Sequence, residues 1–310
     1  MSRSLSNICQ NTFNITGTLS ELQISDGVSK ANRPYRKCRV IVRVDQSYGG
    51  KSEVSEIATD IFAMKTKADG SANKTYEAMG QYSLQFKSIA QVGLEAASRV
   101  SLTGRTARIQ ENMFARRDNP ETIISTWQLG SMGIFPARTV EDCATFCMEI
   151  FIMKMEREIS IDGEETGRLR ILGLNTTNRG PNTNTEGQMF TFFVERPETI
   201  DYIERNWSEN DTVQVVGRIR NCSEEVQYHS TDSWGEDIPQ ASTRNRHELI
   251  ITKGSDFPLE EDMAFAPEDI KTLYADRAAR REQIVLDAKN AAKVATKAPA
   301  AATSSYDWEE

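Results

Sequence analysis

The sequence predicts a mostly β chain: two tandem five-stranded antiparallel barrels, then a helix and a disordered acidic tail. Three observations lead there. The 310 residues suit about two domains of roughly 150 residues each. The chain repeats its own pattern of strands and turns. After Pro258 the composition changes.

The repeat relates a first unit, 12–138, to a second, 143–258. Thr18 to Gly27 matches Lys154 to Gly163, and both stretches end in Asp-Gly, a hairpin turn signal. A basic alternating strand follows each, Arg36 to Val44 and Arg168 to Leu174. Third strands are predicted over Glu56 to Lys65 and Gln188 to Val194, and helices over Tyr82 to Ala97 and Pro197 to Trp207. A polar insertion, Lys67 to Lys74, interrupts the first unit. Val100 to Ile109 then pairs with Val213 to Asn221 around a shared apolar–x–apolar–x–Gly–Arg core. The last strands are Thr122 to Leu129 and Glu248 to Lys253, with exits at Gly133–Pro136 and Gly254–Pro258. Five short strands with a helix between the third and fourth describe an OB-fold barrel.

The rest of the chain is a helical segment, 259–295, and a tail, 296–310. Pro267 suits a first helical turn, Glu268 and Asp269 suit its positive end, and Ile270, Leu273, Tyr274, Ile284 and Val285 supply an apolar stripe. Thr296 to Ser305 is rich in Ala, Pro, Thr and Ser and has nothing to bury, so disorder is expected.

Charge is distributed unevenly. The net charge is -8 and the pI about 5.1, which on its face disfavours nucleic acid. Residues 1–140, however, hold 18 Lys/Arg against 12 Asp/Glu, and residues 141–254 hold 12 against 21. A basic unit is therefore joined to an acidic one, a pattern that points to nucleic-acid contact at one end.

Within the basic unit, period-2 alternation buries Cys38, Val40, Val42 and Val44. It sends Lys37, Arg39, Ile41 and Arg43 outward, with Tyr35 and Arg36 at the strand's start. Residues two apart on one face lie about 7 Å from each other, close to the phosphate spacing of a single strand. Aromatic residues interleave with further cations. Phe62, Phe86 and Trp127 are expected in the core, and Tyr35, Tyr76 and Phe114 at the surface. The candidate nucleic-acid-binding set is Tyr35, Arg36, Lys37, Arg39, Arg43, Lys65, Lys67, Tyr76, Arg105, Arg108, Phe114, Arg116 and Arg117. Phe114 to Asp118 is expected in the loop between the last two strands, where such barrels grip a strand. Arg168, Arg170, Arg218 and Arg220 hold equivalent places in the second unit. Eight glutamates surround them there (Glu156, Glu158, Glu164, Glu165, Glu195, Glu198, Glu224, Glu225). That unit is expected to extend the groove weakly, or to serve self-association or a partner.

These features together resemble a single-stranded DNA-binding protein, nearest to the diverged versions encoded by bacteriophages. The resemblance implies sequence-tolerant binding of single-stranded DNA during replication, recombination and repair. It implies a cytoplasmic setting (the host's, if phage-encoded). It also implies that the tail tip, Tyr306, Asp307, Trp308, Glu309 and Glu310, recruits replication or recombination enzymes. Two departures stand out: bacterial members usually carry one barrel per chain, and here Trp308 is followed by two glutamates. A β-rich virion structural or assembly protein is one alternative. An RNA-binding or transcription-associated OB protein is another, since RNA and DNA differ here only in local detail.

No enzyme is predicted. His229 and His247 are the only histidines, placed in a polar loop region, and no phosphate-cradling GxxxxGK[ST] or helix-opening GxGxxG exists. Cys143 and Cys147, four apart, lack the spacing of a zinc site, so no metal and no cofactor are expected. The N-terminus lacks a signal-peptide core and no stretch is long and apolar enough to span a bilayer, so an intracellular setting without membrane contact is expected.

Overall fold

The computed structural model describes residues 9–48, 50–103, 107–131, 133–160, 163–177, 186–231 and 237–297. The first unit is built from β1 (Asn11–Val28), β2 (Pro34–Tyr48), β3 (Lys51–Met64), α1 (Lys74–Met79), α2 (Tyr82–Gln85), α3 (Ile89–Val92), β4 (Arg99–Leu102), β5 (Arg108–Ala115), β6 (Ile123–Gly130) and β7 (Phe135–Pro136). The second comprises β8 (Cys143–Ile159), β9 (Glu165–Thr177), β10 (Glu186–Val194), α4 (Pro197–Asn206), β11 (Thr212–Thr231) and β12 (Asp237–Gly254), and is followed by α5 (Pro267–Lys297).

In the second unit β8–β9–β10–β12–β11 closes back on β8, with only β10–β12 parallel. This is the closed OB barrel expected, with α4 between its third and fourth strands. The first unit has the same order, β1–β2–β3–β6–β5, and β4 completes it against β1. Its fourth strand is thus split between β4 and β5. The inward rows behave as alternation requires: Cys38, Val40, Val42 and Val44 are fully buried, as are Phe192 and Val194.

Several local expectations are corrected. Asp26 and Gly27 do not turn; they pair with Arg36 and Tyr35 inside the hairpin. The turn lies beyond them, with Asn32 at φ 56. Gly27 is required because a Cβ there would lie 2.5 Å from the Tyr35 ring. The helix expected over 82–97 is replaced by short pieces. A capping box at Ser88 starts α3 afresh, and Gly93, at φ 81, ends it. Asn73 caps α1 inside what reads as a polar insertion. His229 and His247 lie on β11 and β12, whose hairpin extends to Thr231 and Asp237. The helix α5 reaches Lys297, beyond the expected boundary; the tail tip Tyr306–Glu310 lies outside the described residues.

The ladders align the two barrels residue by residue. Bulges fall between Leu19 and Glu21 in the first hairpin and between Ile152 and Lys154 in the second. Ile15 opposite Leu102 corresponds to Met148 opposite Val215, and Ile109 opposite Leu129 to Ile219 opposite Leu249. On this alignment Ser20 matches Met153, three residues away from the pairing that the Asp-Gly signals suggest. Phe13 is then equivalent to Phe146, and Trp127 to His247. Both equivalent pairs touch. Phe13 faces Phe146 at the centre of an antiparallel β1–β8 ladder running from Asn11–Met148 to Thr16–Cys143. Trp127 stacks on His247 at 3.6 Å and 13°. The two barrels are therefore related by a local pseudo-two-fold axis. One hydrophobic core, with Phe13 and Phe146 in it, runs through both.

Helix α5 ties the halves together a second time. Leu273 is buried with Phe151, Leu174 and Phe265 of the second half. Arg277 and Arg280 reach Glu111 of β5, at 2.6 and 3.0 Å. The Glu111 side chain has no exposed surface, and it also accepts from Ser125 and from the Met189 amide. Removing one partner of a buried pair leaves the other charge uncompensated, at about 3–5 kcal/mol. Glu111→Ala is expected to lower unfolding stability by an amount of that order, read from urea denaturation. A loss like that of a surface substitution would contradict the buried latch.

Candidate nucleic-acid interface

The outward face of the β2–β3 hairpin carries most of the predicted cations that stand together. Lys37 and Arg39 are exposed, and Ile41 and Arg43 half-buried, on one side of β2. Lys37 faces Phe62 across the ladder and Arg39 faces Asp60. Tyr35 and Phe62 pack at 5.2 Å, and Phe62 is 54% exposed. The expectation that Phe62 is core is thus overturned. Its neighbours Ile61 and Ala63 take the inward direction, and β3 alternation could have shown this. Phe86 and Trp127 are buried as expected.

Not every cation is available. Arg36 is clamped by Asp26 at 2.6 and 2.8 Å, donates to the Tyr76 carbonyl, and lies 4.4 Å from the Tyr76 ring. Its side chain and that of Tyr76, half-buried against the core, brace the hairpin rather than line a groove. Lys37 sits 3.3 Å from Asp60 and Arg43 3.1 Å from Asp45, both in exposed pairs that contribute little and exchange readily. The Arg39 side chain has no ion pair or hydrogen bond among the described residues. Lys65 and Lys67 are exposed in the loop after β3. Arg108 is half-buried on β5, with a terminal nitrogen lacking a partner. Arg105 lies outside the described residues.

Phe114 is 44% exposed at the end of β5, with Arg116 and Arg117 in the loop beyond, and Arg116 is paired to Asp118 at 2.8 Å. The arm they tip does not lean on the hairpin of its own barrel. Glu111 donates its amide to Gln188 of β10, and Trp127 and Ser125 border a cleft with Arg170 and Phe193. By the pseudo-symmetry, the β11–β12 arm leans on the first barrel. Asn221 donates its amide to Ser55 and its side chain to the Glu56 carbonyl. The base of the arm that carries Phe114, Arg116 and Arg117 thus lies against the second barrel.

In the second barrel the predicted arginines are largely occupied. Arg218 and Arg220 both bridge Glu53, from the first barrel, and Glu195. Glu248 takes Arg220, Arg168 and Arg246 at 3.0–3.3 Å. Arg218 also stacks over Tyr48 at 4.0 Å, and Arg168 over Phe193 at 4.2 Å. Through Glu53 and Tyr48, Arg218 and Arg220 bind the two barrels to each other, while Arg168 braces the second from within. Arg170, paired with Glu156 at 3.3 Å, is the exposed one. Tyr48, Phe193 and Arg246 escaped sequence reasoning, because their partners Arg218, Arg168 and Glu248 lie on other strands or are recognised only once the strands pair.

Burial works against the charge of Glu195 and Glu248, but Arg220 and Arg168 outweigh it and hold both carboxyls below the ordinary value of 4.5. Burial lowers His247 from 6.5, partly opposed by its contact with the Trp127 carbonyl. In all three cases the unfolded chain takes up the proton first as pH falls. Stability is therefore expected to decline on acidification, first from His247 below about 6.5 and further from the glutamates below about 4.5. Urea midpoints measured between neutral pH and the glutamate range check this, and flat midpoints would contradict it.

Among the described residues, no group of His, Cys, Asp and Glu could hold a metal ion, and no helix is long and apolar enough to cross a membrane. No curated protein matches the chain. Solved structures similar to it include two of one protein. The wild-type single-stranded DNA binding protein from Thermus aquaticus has TM-score 0.48 and 9% identity, covering 82% of this chain and 95% of that one. A deletion mutant of the same protein has TM-score 0.48 and 12% identity, covering 84% and 98%. The model of the YorF family matches residues 10–290. Over that span, nearly the whole chain, the protein belongs to the YorF family.

Proposed function

We propose that the protein binds single-stranded DNA without strong sequence preference, as a non-enzymatic factor in replication, recombination and repair of the kind bacteriophages encode. The observation that carries this reading is the β2–β3 face, where Lys37, Arg39 and Arg43 form one row beside the exposed Phe62 ring and the half-buried Tyr35 packed on it. Cations at that spacing track phosphates, and exposed rings stack bases at about 1–3 kcal/mol each. The tail tip, Tyr306–Glu310, is proposed to recruit replication or recombination enzymes, because acidic aromatic peptides suit basic pockets with an apolar hole.

Fluorescence anisotropy with single-stranded DNA, duplex and RNA at two salt concentrations tests the reading. Tight, salt-sensitive binding to single-stranded DNA is expected. Equal or better binding to RNA would shift the assignment, and no binding would end it. Replacing Lys37, Arg39 and Arg43 together by Ala is expected to weaken binding across all sequences. It should flatten the log–log salt slope by about 2, at roughly 0.7 per phosphate contact; an unchanged slope would remove these residues from the site. Deleting Tyr306–Glu310 is expected to leave DNA affinity intact or higher while abolishing capture of replication enzymes. Weaker DNA binding after that deletion would contradict the tail's role.

A further inference from the structure

The β11–β12 arm does not close onto the first barrel along its whole length. Between it and the tip of the β2–β3 hairpin lies a cleft of about 620 Å³ lined by Tyr48, Glu53, Val54, Glu195, Arg218 and Arg246, among others. A volume of that order suits a small organic ligand. A second cleft, containing Arg39 and Ile41, shares Val54, Cys222 and Ser223 with it. The two are therefore adjacent, and together they flank the way from the cationic row of β2 to the ion-pair network between the barrels.

The first cleft is equipped to bind something. The Arg218 side chain is only 7% exposed, and its Nε has no hydrogen-bond partner; neither has the buried hydroxyl of Tyr48. A buried polar atom left unpaired is costly, and a ligand that pairs with it recovers that loss. The cleft has unpaired donors just behind its wall (Arg218 Nε and the Tyr48 hydroxyl), the exposed Ser52 hydroxyl, and carboxylate acceptors (Glu53 and Glu195) side by side, next to the apolar Val54. The surrounding arginines and glutamates largely neutralise one another. A bare phosphate gains little from such a neutral, mixed surface, whereas the edge of a nucleobase, itself part donor and part acceptor, matches it.

We propose that this inter-barrel cleft is a nucleobase subsite. The strand that binds along β2 continues past Arg39 and places a base between Tyr48, Val54 and the β11–β12 arm. Arg39 and Arg246, more exposed than Arg218 and Arg220, serve its flanking phosphates. The proposal rests on the single-strand reading above and specifies the path across the molecule. It assigns the second barrel a share in binding through its arm.

Two measurements on the full chain test it, using a long and a short oligothymidylate followed by anisotropy. First, Cys222 stands in the wall common to both clefts, half-buried. Saturation with the long oligonucleotide is expected to slow its alkylation by N-ethylmaleimide about tenfold, read by peptide mass spectrometry. Second, Ser223→Trp places an indole on the exposed side of the passage. It is expected to weaken the long oligonucleotide about tenfold, the scale of one lost base contact, and to leave the short one unchanged. Full anisotropy binding with unslowed Cys222 alkylation would overturn the cleft assignment alone. So would Ser223→Trp binding the long oligonucleotide like the parent chain. Absence of any anisotropy change in the parent chain would instead overturn the single-strand reading.

Discussion

The architecture depends on the antiparallel ladder between β1 and β8. Each of these strands opens its barrel, and each leaves one edge uncovered over its first six or seven residues. An uncovered edge is a row of unsatisfied amides and carbonyls. Pairing the two edges satisfies both at once, and it fixes the relation between barrels to a single register with Phe13 opposite Phe146. Everything between the barrels follows from that register: the Trp127–His247 stack, the reciprocal contacts of the two arms, and the arginine–glutamate network around Glu53.

This arrangement also explains why the charge of the chain is misleading in sum. Arg168, Arg218 and Arg220 read as a depleted copy of the first barrel's cationic row. In the structure they answer Glu53, Glu195 and Glu248 within a buried network. Part of the second barrel's acidity is therefore internal balance rather than a surface that repels phosphate. The first barrel's hairpin keeps its cations at the surface because only its tip, at Glu53 and Tyr48, enters the network.

The barrels themselves were legible in sequence, because alternation and turn residues act locally. Cys38, Val40, Val42 and Val44 face inward as alternation requires, and β10 and α4 fall within a residue or two of their expected limits. The misreadings have a common origin. Asp26–Gly27 carried a turn signal, yet Gly27 is needed for the Tyr35 ring to pass and Asp26 for Arg36. Phe114 to Arg117 sit at the end of β5 and in the loop before β6, as expected, but the base of their arm is held by Gln188 of the other barrel. His247 read as part of a polar loop and proved to be half of a stack on the axis. In each case the deciding partner lies far away in sequence, on a surface that exists only once both barrels have folded and docked.

The pseudo-two-fold axis has a consequence for how the two halves can differ. In a dimer of identical chains every substitution appears on both sides of the axis, so a change that helps one side must be tolerated by the other. Here each position occurs once. Glu111 and Asn221 occupy equivalent places on the two arms, and both hold their arm to the opposite hairpin through a backbone amide. Only Glu111 has gone further and become the anchor of α5. A buried carboxylate at the second place would need cations of its own to neutralise it, and among the described residues α5 supplies them only to Glu111. Covalent fusion thus turns a symmetric scaffold into one with a distinct front and back, and lets it hold its barrels together at any dilution.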